Sequence, residues 1–493
     1  MDHLSKAFLQ DRPELADFSL PEKVLQFGTG ALLRALPDYL INKANRQGVF
    51  NGRVVVVKST DSGSATAFDK QDGLYTICLR GIENGEQIDE NIISSAISRV
   101  LSAKKQWKEI LELAESPDLE IVISNTTEVG IQLVSEDIKE TPPESFPGKL
   151  LSFLYTRYRH FEGDRSKGLV IVPTELLPKN GSLLESIILE LAHLNNLEYG
   201  FIEWLEESCT FCNSLVDRIV PGQPAPELVK SLQETLGYQD SLFTVSEPYC
   251  LWAIEGDEQV AKILSFQQAN PESVIVAPNI DTYRERKLRL LNGTHTLSCG
   301  LAILAGFQTV SEAMEDEAMS GYIKNLMFQE IIPAIPVDIP TKDAEQFAHQ
   351  VLDRFRNPFV EHFWTSITVQ YSTKMKMRNV PLVLEHYRKG KLAPMYFALG
   401  FAAFLCYFRE NKHSVQDENA EYFKDKWRNF APEDIAQEVL SDKKFWGHDL
   451  SKLPGFSQRV SQFVEDILQQ GAASVLHDLV IKNEAKSLTD TPA

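Results

Sequence analysis

Three side chains of different chemistry stand close together in Tyr283-Arg-Glu-Arg-Lys287-Leu-Arg-Leu-Leu-Asn292-Gly-Thr-His295-Thr: Lys287, Asn292 and His295. With 3.6 residues per turn, an α-helix sets His295 about 80° and Asn292 about 140° round the axis from Lys287. The spacing therefore predicts one helix that can turn all three toward a common cleft. A lysine can give or take a proton, and an asparagine and a histidine can hold an oxygen. That set suits the oxidation of an alcohol, or the reduction of a ketone, beside a hydride carrier. As a ketone is reduced, charge builds on its oxygen. A cationic Lys287 would stabilise that charge and supply the proton, and in oxidation a neutral Lys287 would accept it. No metal is needed if the lysine does this, and the chain has no His/Cys/carboxylate set at metal-ligand spacing. Spacing alone also allows a solvated cationic face that ends at an Asn-Gly turn.

A hydride carrier needs a site of its own. The short strand Lys23-Val-Leu-Gln-Phe27 runs into Gly28-Thr29-Gly30 and then an apolar helix from Ala31 to Lys43. Between a strand and a helix, Gly28 would allow the tight turn, and Gly30 would let the backbone approach a pyrophosphate. The third glycine of the usual fingerprint is missing, and Leu33 stands there; a plain strand-to-helix turn explains the pair as well. The residue that selects the ribose is ambiguous. After the run Arg53-Val-Val-Val-Val-Lys58 come Ser, Thr and Asp61. Asp61 would bind ribose hydroxyls and repel a 2′-phosphate, whereas Lys58 would welcome one.

These residues need a scaffold. Arg53–Lys58, Leu119–Ser124, Gly168–Pro173 and Ser273–Ala277 read as strands buried on both faces, and Leu101–Ala114 as an amphipathic helix. Such alternation implies a parallel, doubly wound sheet. Beyond about residue 280 the pattern is helical, broken at Asn357-Pro358, Ala393-Pro394 and Ala431-Pro432. The expected organisation is an α/β domain over 1–280 and an α-helical domain over 281–493. The Ala-rich run Met395–Phe408 is too short for a bilayer span and reads as a buried helix.

Composition sets further bounds. A chain of 493 residues is too long for one ordinary core. A net charge of −20 argues against a nucleic-acid surface, although a local basic pocket could still take an anionic substrate. The six scattered cysteines suggest a reducing cytoplasm. Cys209-Thr-Phe-Cys212 has zinc-like spacing without a second ligand pair, and reads as a helix with two buried thiols. No signal peptide is visible. No feature indicates the oligomeric state.

The segment Leu-Asn292-Gly-x-His295, with Lys287 before it, resembles the signature of the mannitol dehydrogenase family, long-chain metal-independent polyol and sugar-acid dehydrogenases. Other blocks follow in that family's order: Phe27-Gly-Thr-Gly-Ala-Leu-Leu-Arg34-Ala, Gln71-Asp-Gly-Leu-Tyr75, Ser124-Asn125-Thr126-Thr-Glu-Val-Gly130, Val216-Asp-Arg-Ile219 and Arg354-Phe-Arg356-Asn357-Pro358. The resemblance runs from about residue 22 to beyond residue 450. It implies a Rossmann-like N-terminal domain and NAD as cofactor, with NADP the alternative. Phe27, Gly28, Thr29, Gly30, Arg34, Asp61, Asn125 and Thr126 would surround that cofactor, and Lys287, Asn292 and His295 would be catalytic. One departure is informative. Polyol-active members carry Asp-Asn where this chain has Glu175-Leu176, and Leu176 cannot make the oxyanion contact of that asparagine. This points to the sugar-acid branch, with a hexuronate/hexonate pair as substrate. Glu175 would then be a proton relay, a hydroxyl ligand or a helix cap. A substrate carboxylate calls for Arg or Lys; the candidates are Lys374, Lys376 and Arg378, with Arg356 and Asn357 as alternatives. The expectation is a cytoplasmic NAD-dependent oxidoreductase acting on CH–OH groups, without nucleic-acid or membrane partners. Its rivals are a sister activity on an epimeric keto acid, a polyol dehydrogenase, and a regulator that kept the fold and lost the chemistry. The intact trio argues against the last.

Overall fold

This computed structural model describes residues 1–12, 16–59, 65–126, 130–409 and 415–489, with side chains as far as Val480. The chain divides into two compact units, Met1–Arg80 with Gln87–Ile280, and Gly81–Glu86 with Asp281–Ala493.

The first unit is built on a sheet of six strands: β1 (Glu22–Phe27), β2 (Arg53–Lys58), β5 (Ile97–Ser102), β6 (Ile121–Ser124), β7 (Val170–Pro173) and β8 (Thr210–Phe211). β3 (Tyr75–Glu83) and β4 (Glu86–Ser94) lie between β2 and β5 in sequence and belong to a smaller sheet with β10 (Thr244–Ser246). The large sheet has the order β5-β2-β1-β6-β7-β8, and every neighbouring pair is parallel. Numbered among themselves, these strands run 3-2-1-4-5-6, the doubly wound order of dinucleotide-binding sheets.

The β-branched runs explain why the sheet is buried on both sides. Val24, Val54, Val56, Ile121, Ile123 and Val172 belong to one core, where Leu40 and Ile41 of the helix Pro37–Arg46 also lie. Leu25, Val55, Val57, Val122 and Ile171 point into a second core with Leu150, Leu184 and Ile188. Each fully buried aliphatic side chain contributes about 1.5–3 kcal/mol.

Some expectations change. The amphipathic stretch from Leu101 is not one helix: Ile97–Ser102 is strand β5, and the helix starts at Trp107. Val100 and Leu101 are buried on opposite sides of the sheet, which a helical pattern reads as one stripe. Val274–Ala277 (β12) is a strand, but it lies in a separate three-stranded sheet with β11 (Leu251–Glu255) and β9 (Ser214–Asp217). Cys209 and Cys212 flank the edge strand β8 rather than sitting in a helix. Both are buried, and burial pushes each thiol up to about 12.

The second unit is helical. Tyr396–Phe408 is buried throughout, and its helix, Met395–Arg409, packs against Thr294–Ala305 and Phe456–Gln470. Gly400 permits the first of these approaches, because a Cβ there would stand 2.8 Å from Leu297 Cδ2. The Asn-Pro and Ala-Pro breaks fall at helix boundaries. One helix ends at Phe355 and another begins at Pro432, where a missing N–H costs nothing. Among the described residues no helix is long and apolar enough to cross a membrane.

Candidate active site

In the first unit, β1 delivers the chain to Gly28, whose N–H donates to Val57 O at 3.0 Å. Gly28 has φ +125°, and a Cβ there would lie 2.9 Å from both Asn125 O and Leu33 Cδ1. Any other residue is excluded by conformation and by space. Leu33, in the place of the third fingerprint glycine, thus fills the room that Gly28 leaves. Gly30 differs: it is exposed, extended, and no atom lies within 4 Å of the place a Cβ would take. The open space at Gly30, where the helix Ala31–Ala35 begins, would let a pyrophosphate approach the backbone. Thr29 between the two glycines is partly exposed.

The other cofactor candidates divide. The Phe27 ring belongs to the core, 5.1 Å from Phe146, so only its backbone faces the loop; its carbonyl accepts from Asn125 N. Arg34 turns inward, donating to Leu242 O with its guanidinium over the Tyr75 ring. Asp61 lies outside the described residues. Asn125 Nδ2 donates to Thr174 O and Oγ1, and Thr126 donates through N and Oγ1 to Glu175 Oε1, at 2.8 and 3.0 Å. Glu175 Oε2 accepts from Ser124 Oγ at 3.1 Å. The Glu175 carboxylate therefore fastens the ends of β6 and β7 together. The next side chain, Leu176, is 62% exposed.

In the second unit, a continuous helical path runs from Asp281 to Ala305, but Lys287–Gly293 is a π-helix. Angles based on 3.6 residues per turn do not hold there. A ladder bonded from i to i+5 brings residues five apart close to one above the other. Lys287 and Asn292 consequently share a face more closely than a plain α-helix would allow. Both are partly exposed, and His295, a few residues on, is buried.

Ring packing holds His295. Its imidazole stacks on Phe355 at 4.1 Å and 10°, and meets His362 and Trp364 edge-on at 5.0 and 6.1 Å. Its Nε2 is buried without a hydrogen-bond partner. Burial holds its pKa well below the usual histidine value, helped by repulsion from His362 whenever that ring is protonated and by the cations Arg354, Arg378 and Lys374. The ring is accordingly neutral at neutral pH, able to donate from one nitrogen and accept at the other.

Two of the three nominated cations stand in these surroundings. On the helix Tyr371–Arg378, Lys374 and Arg378 are four residues apart and share a face. Lys374 Nζ donates to Ile367 O at 3.0 Å. Arg378 Nη1 donates to Thr296 Oγ1 at 3.0 Å and reaches Asn292 O at 3.4 Å. Burial lowers the pKa of both, and for Lys374 the charge of Arg378 lowers it further. Lys376, two residues on, points the other way, exposed and over the Phe445 ring. Arg356 is also turned outward, 42% exposed and paired with Asp353 at 3.8 Å. Asn357 is buried and its Oδ1 accepts from Phe359 N.

Three residues escaped the sequence reading. Arg354, buried, is the arginine of Arg-Phe-Arg-Asn-Pro that faces the histidines. Only the phase of its helix separates it from Arg356. Arg289 is buried, pairs with Glu285 at 2.9 Å and donates to the carbonyls of Met377 and Arg378. It ties the π-helix to the end of the cation-bearing helix. His362 has no local motif at all. The region as a whole can pair neutral hydrogen-bonding groups with cations, the equipment for an anionic carbonyl compound.

Residues 22–268 match the mannitol dehydrogenase Rossmann domain, and residues 279–468 match the mannitol dehydrogenase C-terminal domain. The chain belongs to the mannitol dehydrogenase family, and with it to the oxidoreductases that act on CH–OH groups. It is 39% identical over 470 residues to altronate oxidoreductase of Bacillus subtilis (strain 168), covering 94% of this chain and 96% of that one. Its fold resembles D-sorbitol dehydrogenase in substrate-free form (TM-score 0.76, 20% identity, 97% of this chain and 100% of that one). It also resembles the Pseudomonas fluorescens mannitol 2-dehydrogenase ternary complex with NAD and D-mannitol (TM-score 0.66, 21% identity, 97% and 100%).

Proposed function

We propose that the chain catalyses the reversible, NAD(H)-dependent reduction of D-tagaturonate to D-altronate, as a cytoplasmic enzyme of hexuronate catabolism. The observation that carries this reading is the pair Lys374 and Arg378, two cations on one helix face in the surroundings of His295. A polyol offers such a pair only neutral hydroxyl oxygens, whereas a keto-acid carboxylate also matches its charge. The names of the curated relatives support the same branch. The mannitol 2-dehydrogenase complex with NAD supports NAD as the cofactor.

Gly28, Thr29 and Gly30, the backbone of Phe27, and Asn125 with Thr126 would hold the dinucleotide. When bound, it supplies or accepts the hydride. Lys287 gives its proton to the nascent alkoxide during reduction and takes it back during oxidation. Asn292 and neutral His295 hold the reacting oxygen or a neighbouring hydroxyl. Lys374 and Arg378 take the carboxylate. Glu175 keeps the 124–126 segment in place rather than relaying protons. Arg34, Arg356 and Lys376 have no part in this reading. Incubating the protein with tagaturonate and NADH, and identifying the product by carbon NMR, tests it. Altronate formed in step with NADH oxidation is the expected result. Unchanged NADH contradicts the reading, and so does turnover confined to fructuronate with mannonate as product.

A further inference from the structure

His295 has no hydrogen bond at Nε2 to fix its ring, so its orientation depends on the rings around it. Phe355 and Trp364 are buried at 2% and 0% exposure and belong to the core. His362 is the partly exposed ring of the cage. It also sits on a braced piece of backbone. His362 O accepts from Val310 N at 2.9 Å, Trp364 N donates to Gln308 O at 3.0 Å, and Phe363 forms an antiparallel bridge with Thr309. The turn before the helix Val310–Glu315 is itself fixed by a capping box between Thr309 and Glu312. This bracing, with the bond from His362 N to Val360 O at 2.9 Å, sets the backbone from which the side chain projects.

We propose that His362 is a positioning residue: its ring edge closes the cage that fixes the plane of His295, and so directs the His295 nitrogens toward the substrate oxygen. This inference rests on the catalytic reading of His295 given above. His362 does not touch the reacting atoms. It acts by volume and shape, because removing its ring gives the His295 imidazole room to tilt away from Phe355. The charged groups around the two rings are Arg354 from the helix Thr341–Phe355 and Lys374 and Arg378 from the helix Tyr371–Arg378. All are cations, so neither histidine has an acid to pair with among the groups that shift it. Both are neutral in the working enzyme, and the wall is a neutral one.

The test compares wild type with His362→Ala and His362→Phe, using NADH oxidation by tagaturonate and ¹⁵N NMR of the His295 ring. Misplacing a catalytic group by about 1 Å can cost about 10²-fold, so His362→Ala is expected to lower kcat by roughly 10–100-fold with KM changed little. His362→Phe, which restores a flat edge without a titratable nitrogen, is expected to recover most of the lost kcat. The His295 ring signals should move in His362→Ala and return toward wild type in His362→Phe. If the alanine variant loses its cooperative melt, His362→Leu, of similar volume and without a flat edge, takes its place with the same expectation. Wild-type kcat and an unmoved His295 signal in the small variant would overturn the proposal. So would a phenylalanine variant as impaired as the alanine one. Should wild type reduce no ketose acid at all, the functional reading fails, and the ring signals still decide whether His362 positions His295.

Discussion

Lys287→Ala is expected to lower kcat by about 10²–10⁴-fold, the range that a general acid–base group contributes, and to leave NADH binding in place. The two effects separate because the residues belong to different units of the chain. Lys287 opens the π-helix of the second unit, whereas the glycine loop that fits a pyrophosphate is Gly28–Gly30 of the first. Asn292 and His295 remain in the variant. They can hold an oxygen but cannot replace the proton donor, since a neutral, strongly depressed His295 is a poor acid. Steady-state kinetics in both directions, with NADH binding followed by fluorescence, measures the two quantities. A loss of kcat smaller than about tenfold would remove Lys287 from the role of proton donor.

Lys374→Ala is expected to weaken kcat/KM for tagaturonate by roughly 10–150-fold, since a buried charge-assisted contact is worth about 1.5–3 kcal/mol. Any residual rate on uncharged fructose should barely change, because fructose never made the contact. Arg378→Ala should behave differently. Its guanidinium also bonds Thr296 Oγ1 and reaches the carbonyl of Asn292, so its loss disturbs the oxygen-holding group and lowers turnover on both substrates. Lys376→Ala serves as the control: its ammonium lies over Phe445 on the other side of the same helix, and both rates should stay near wild type. Unchanged discrimination in both Lys374→Ala and Arg378→Ala would mean that the carboxylate is read elsewhere, with Arg354 the next residue to replace.

The sequence was most legible where chemistry and local pattern coincide. Three β-branched runs marked strands of the doubly wound sheet, because a strand buried on both faces needs apolar residues in every position; the fourth, Ser273–Ala277, marked a strand of a separate sheet. The glycine loop could be read because φ +125° at Gly28 tolerates no side chain. Legibility failed where the answer depended on phase or on distant packing. Lys287 and Asn292 were placed with 3.6 residues per turn, and the π-helix that changes their relation has no signature in propensity. Lys374, Lys376 and Arg378 looked equivalent until the helix set two of them on one side. Arg354 and Arg356 differ in the same way. His362 was invisible because its link to His295 runs through a bridge to residues 308–310, which no spacing reveals.

The central claim is that this member of the family reduces a ketose acid and recognises its carboxylate. The most direct measurement is kcat/KM of the wild-type protein for tagaturonate, fructuronate and fructose in parallel, with NADH and followed at the nicotinamide absorbance band. The account expects tagaturonate to lead, fructuronate to follow, and fructose to trail both by at least the roughly 10–150-fold worth of one buried carboxylate contact. A protein that prefers fructose, or that oxidises mannitol in preference to altronate in the reverse direction, would contradict it.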